Sequence, residues 1–119
     1  MSNLKATLDN ILGLDGAMCC ALVDSSSGMM LASSGTGVDL EMAAAGNTEV
    51  IRAKLKTMSM LKLGETIEDI LITLGRQYHI IRPLAKKPEL FLYLVLDKGR
   101  ANLALARRKA LEAEGELTV

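Results

Sequence analysis

The side chains able to do chemistry are few and scattered along the chain. His79 is the only histidine. Set beside Asp24 and one of Ser25, Ser26 or Ser27, it would supply the base of a hydrolase triad, with the serine as nucleophile and the carboxylate orienting the imidazole. No nucleophile-elbow signature surrounds any serine, however, and a single histidine inside an alternating strand is the pattern of a half-buried polar group. Glu65, Glu68 and Asp69 form an acidic cluster that could hold a cation or donate a proton, yet they precede an apolar strand, where solvated turn carboxylates are common. Cys19 and Cys20 are adjacent in an apolar run, which puts their side chains on opposite faces of a strand and fits two buried free thiols. With one histidine and two cysteines the chain cannot build a four-ligand zinc site of nitrogen and sulfur. Gly35-Thr36-Gly37 precedes a helix, but Leu40 stands where a dinucleotide fingerprint requires glycine, and no phosphate-binding Gly-Lys-Ser/Thr run occurs. The sequence therefore assigns no catalytic, cofactor or metal residue.

The elements that would position these groups read clearly. Leu4, Leu8, Ile11 and Leu12 give a short amphipathic helix, with Ser2 available as its cap and Gly13 as a left-handed stop. Ala17 to Asp24 and Met29 to Ser33 flank Ser25-Ser26-Ser27-Gly28 and predict a hairpin. Residues 33–37 read as a loop, with Thr36 and Asp39 spaced as a capping box for a long helix over Val38 to Met60, ~33 Å in length. Ile67 to Leu74 is a third strand. Gly75-Arg76 suits a two-residue hairpin with glycine at its first central position, and Tyr78 to Pro83 returns as a fourth strand. Leu90 to Leu96 is apolar throughout, which marks a strand covered on both faces and therefore central. Asp97 is placed to cap a final helix whose face combines Leu103, Ala104, Arg107, Ala110 and Leu111 and which Gly115 ends.

The order is thus α-β-β-α-β-β-β-α over a single domain, 1–119. It predicts an α+β fold: an antiparallel five-stranded sheet flanked by helices on both faces. The long helix carries more apolar surface than one sheet contact needs. Leu40, Ala43, Ala44, Asn47, Ile51, Leu55 and Met58 form a core stripe, while Met42, Gly46, Val50, Ala53, Thr57 and Met60 form a second one at the same spacing. Glu41, Thr48, Arg52, Lys56 and Ser59 are left for solvent. Glycine inside a helix costs ~1 kcal/mol relative to alanine, so Gly46 calls for a close helix contact, and a second copy of the chain would provide it.

Composition narrows the function. The 119 residues are 50% hydrophobic and carry no net charge, and three aromatics offer no base-stacking platform, which argues against nucleic-acid binding. No apolar run approaches the ~20 residues of a membrane span, and no signal peptide is evident, so a cytoplasmic location is expected. The charge is uneven: residues 1–50 hold one base against six acids, and residues 51–119 hold thirteen bases against eight acids.

With this order in view, Leu14-Asp15-Gly16-Ala17 through Val23-Asp24 to Gly28 resembles the opening hairpin of the roadblock-type dynein light-chain family, including its bacterial MglB-like members. Asp97, followed by Ala101-Asn102-Leu103-Ala104-Leu105-Ala106-Arg107, is similar to that family's last strand-to-helix passage, and the small-residue helix matches its second helix. The resemblance implies a profilin-like sheet-and-helix plan. It also implies a homodimer in which two second helices lie antiparallel and two third strands pair edge to edge through residues such as Ile70 and Ile72. It further implies a non-enzymatic regulator of a small Ras-like GTPase, needing no cofactor, with Ala43, Gly46, Asn47, Val50 and Lys54 as dimer or platform positions. Two other classes fit the same plan: a sensory domain with a small molecule held between sheet and helix, and a scaffold subunit of another complex.

Overall fold

The computed structural model describes residues 3–119, so Ser2, the expected cap of the first helix, lies outside the described residues. The elements are α1 (Leu4–Ile11), β1 (Ala17–Asp24), β2 (Met29–Gly35), α2 (Leu40–Leu61), β3 (Ile70–Thr73), β4 (Gln77–Pro83), β5 (Leu90–Asp97) and α3 (Leu103–Glu116). All five strands join one antiparallel sheet in the order β2-β1-β5-β4-β3. The expected α+β plan is the observed one. The apolar strand β5 occupies the middle, buried from Leu90 to Leu96 as its sequence requires.

Alternation along the strands sorts side chains into two cores. Cys19, Ala21, Val23, Phe91, Tyr93 and Val95 meet Ala44 and Ile51 of α2 on one face. Cys20, Leu22, Leu92, Leu94 and Leu96 meet Leu4, Leu8 and Ile11 of α1 and Ala106 and Ala113 of α3 on the other. The two cysteines thus fall on opposite faces, free and buried. Burial pushes the Cys20 thiol up to about 12 and raises that of Cys19, which leaves both as unreactive core groups.

Several boundaries differ from the sequence expectation, each for a local reason. Strand β2 continues past Ser33 because Ser34 and Gly35 pair with Cys20 and Cys19 of β1, and Gly35 adopts φ 82°, where a Cβ would collide with the Met18 carbonyl. Asp39, and not Thr36, caps α2, its carboxylate accepting from the Met42 N–H at 3.1 Å. Asn102 caps α3 by accepting from the Leu105 N–H, while Asp97 accepts from the Gly99 N–H in the turn before it. Helix α1 ends without a left-handed residue at Gly13; Gly16 takes that conformation instead, at φ 84° against the Ala101 backbone. Strand β3 is shorter than Ile67 to Leu74. Gly75 sits in a two-residue loop closed by the Leu74 N–H and Gln77 carbonyl, but not at positive φ. Helix α3 runs through Gly115 to Glu116, and its buried face is Ala106, Ala110 and Ala113, with Leu111 left exposed.

Candidate protein interface

Helix α2 makes its main packing contacts with β1 and β2, the outer pair at one side of the sheet. That offset decides which of its residues are buried. Ala44, Ile51 and Met58 enter the core as expected, together with Thr48, whose hydroxyl donates to the Ala44 carbonyl at 2.7 Å and so buries without an unpaired polar atom. Thr48 corrects its placement on the solvent stripe. Leu55, expected in the core, is 49% exposed. Leu40, Ala43 and Asn47 are half-buried along the flank of the helix. The second stripe is open: Met42 and Met60 are each 71% exposed, and Gly46, Val50, Ala53 and Thr57 are exposed with them, as is Lys54. A methyl group at Gly46 would meet nothing within 4 Å.

Ile70 and Ile72 lie on the same sheet face as α2 and pack only partly against its core cluster. They belong to the last strand of the order, whose outer side faces no other strand. The two edges of the sheet are built differently. Along β2, the Lys5 ammonium donates to the Ser33 carbonyl at 2.8 Å, Ser34 hydrogen-bonds to Asp9, and the register breaks at a bulge opposite Leu22 and Val23. A lysine and a bulge are the usual guards of a sheet edge against further pairing. Strand β3 has an unbroken register with β4 and an apolar sequence, Ile-Leu-Ile-Thr, with no such guard.

Charge along α2 is also ordered. Asp39, Glu41 and Glu49 occupy its first half, and Arg52, Lys54, Lys56 and Lys62 its second and its end. Asp39 and Glu41 stand at the N-terminal end, where the helix dipole favours negative charge.

The structure does not assemble the hydrolase triad. His79 is opposite Val95 and Asp24 opposite Leu90, so they stand five residues apart along β5, about 17 Å at the strand rise. The imidazole instead bonds to Gln77 Oε1 at 2.8 Å and the Tyr93 hydroxyl at 2.9 Å, and burial lowers its pKa from 6.5. Burial in turn raises the Tyr93 phenol, an effect the neighbouring Asn47 amide opposes. Asp24 is engaged by the hydroxyl and N–H of Ser26, which hold its carboxyl below the usual range. Of Glu65, Glu68 and Asp69, Asp69 is taken by a two-pronged contact from Arg107 at 3.0 and 3.2 Å. Among the described residues no group of three or more such side chains could hold a metal ion, and no helix is long and apolar enough to cross a membrane.

No family model and no curated protein matches the chain. Solved structures do. Myxococcus xanthus MglB superposes with TM-score 0.84 at 19% identity, over 99% of this chain and 94% of that one. A Roadblock/LC7 domain from Streptomyces avermitilis gives 0.83 at 10% identity, over 95% and 92%. This chain has the roadblock fold. The gliding protein MglB of Thermus thermophilus is a third example, with TM-score 0.76 at 22% identity over 92% and 81% of the two chains. On a roadblock fold, the open α2 stripe and bare β3 edge are the features of this sequence that stand out against its closed core. Sequence reasoning missed the exposure of Leu55, since its apolar type and helical spacing both fit the core stripe.

Proposed function

We propose that this chain is an MglB-like roadblock module that forms a homodimer and, without chemistry of its own, binds and regulates a small Ras-like GTPase. The observation that carries the reading is a pair of unpartnered surfaces, the exposed apolar stripe of α2 and the unguarded edge of β3. The proposed dimer surface comprises Met42, Ala43, Gly46, Asn47, Val50, Ala53, Lys54 and Thr57, with Ile70 and Ile72 at the strand edge. Antiparallel crossing of two α2 helices brings the acidic half of each beside the basic half of the other, so charge favours the dimer arrangement that the apolar stripe suggests. The paired helices then form the platform for the GTPase.

The test is capture from a host-cell lysate on the immobilised, folded protein, in parallel with GDP and with a non-hydrolysable GTP analogue, followed by mass spectrometry. Recovery of one small GTPase in a single nucleotide state is the expected result. Failure in both states, with the bait shown to be a dimer by light scattering, would remove the GTPase while leaving the dimer standing.

A further inference from the structure

The sheet face opposite α2 carries a second open surface. Past α3 the chain continues in an extended conformation, and between it and the β4–β5 loop runs a groove of about 290 Å³. Leu84, Leu111, Leu117 and Val119 line it, with exposed Lys86 and Lys87 on one bank. Restraints fix both banks. The Glu114 carboxylate accepts from Arg82 Nε at 2.8 Å and from the Ala85 N–H at 2.6 Å, which ties the loop to α3. On the other side the Asn3 side chain accepts from the Thr118 hydroxyl at 2.9 Å and donates to the Glu116 carbonyl.

Those bonds engage the Glu114 carboxylate, the acidic side chain that lines the groove. Lys86 and Lys87 have no anionic partner among the described residues, and neither does Arg108, which borders Leu111 on the outer side of α3. Leu105, Arg108 and Leu111 follow one another at three-residue spacing, with Leu105 50% and Leu111 55% exposed. Arg108 and Leu111, one turn apart, extend the apolar and cationic lining of the groove along α3. An apolar floor beside lysines that have no anionic partner favours an amphipathic, acidic occupant. We propose that this groove and the adjoining stripe of α3 bind an amphipathic segment of a partner protein that sets apolar side chains among carboxylates. The site shares no residue with the α2 surface, so the chain would engage this segment independently of any GTPase.

Fluorescence anisotropy on the full chain tests this with two labelled helical peptides of about 15 residues. One has leucines at i and i+4 flanked by glutamates, and the other has lysine in place of each glutamate. The glutamate peptide is expected to bind and the lysine peptide to fail. Leu111→Asp should weaken binding by about tenfold or more. Joint K86E and K87E substitution should reverse the peptide preference, a gain of binding that an unfolded variant could not produce. Equal binding of both peptides, no binding of either, or a preference untouched by the double substitution would overturn the proposal. So would concentration-dependent self-association abolished by K86E and K87E, since the occupant would then be a second copy of the chain.

Discussion

The Lys5 ammonium reaches across from α1 and donates to the carbonyl of Ser33 at 2.8 Å, closing a position on the outer edge of β2. Lys5 also pairs with Asp9 at 3.3 Å, but both side chains are more than half exposed, so the pair adds little stability. The contact matters for what it blocks. Lys5→Ala should lower stability by under about 1 kcal/mol while raising the tendency to associate. Light scattering against protein concentration, combined with urea denaturation, checks both halves. A variant as soluble as the parent would show that the bulge guards the edge alone.

Gly46 separates folding from dimerisation. With nothing within 4 Å of its added methyl, Gly46→Ala should stabilise the isolated fold by ~1 kcal/mol through helix propensity. In the proposed dimer the same methyl pushes two helix backbones apart and should weaken association. Gly46→Glu should give monomer or aggregate. Sedimentation read beside denaturation resolves the two effects, and an unchanged dimer for Gly46→Glu would put the seam elsewhere.

Burial lowers the His79 pKa from 6.5, so the native chain holds the imidazole neutral while the unfolded chain takes up a proton near that value. Protons bind preferentially to the unfolded state, and stability must fall as pH drops below 6.5, with full benefit retained above it. His79→Gln should flatten this slope in urea denaturation between pH 7.5 and about pH 5. An identical slope in the variant would remove His79 as its source. Asp9 and Asp24, held below 3.8 chiefly by the hydroxyls of Ser34 and Ser26, lose their contribution only at lower pH.

Arg82 and Glu114, 32 residues apart, form the most buried ion pair described, with side chains 15% and 11% exposed. Glu114→Ala leaves a guanidinium and the Ala85 N–H without their acceptor and should cost about 2–3 kcal/mol. Pairing it with Arg82→Met should recover most of the loss, because the charge stranded by the single change is gone. Thermal or urea unfolding of the single and the double variant decides the matter.

The sequence made some of this architecture legible and concealed the rest for physical reasons. Strands β1 and β5 were readable because burial on both faces demands an unbroken apolar run, and α1 because its buried leucines and isoleucine fall on one helical stripe. Helix faces were harder. On α3 the buried residues are Ala106, Ala110 and Ala113, since close approach favours small side chains, while the larger Leu105 and Leu111 stay outside. On α2 a helical wheel cannot tell that Thr48 satisfies its hydroxyl within its own helix, nor that Leu55 stays half exposed. The open stripe around Gly46 and Val50 was visible as surplus apolar surface. The Arg82–Glu114 clamp left no local trace, because its partners meet only through the tertiary fold.

The middle of the sheet also sets a timetable. Strand β1, residues 17–24, is flanked by β2 from its own hairpin and by β5, residues 90–97, from near the other end of the chain. The remaining neighbours are joined by short local turns. A chain emerging from the ribosome therefore has α1, the first hairpin and α2 in hand while the inner side of β1 still lacks its partner and both cores lack their central strand. Only when β5 arrives do the two halves close, which makes the interval before that moment the one in which a nascent chain most needs protection from its neighbours.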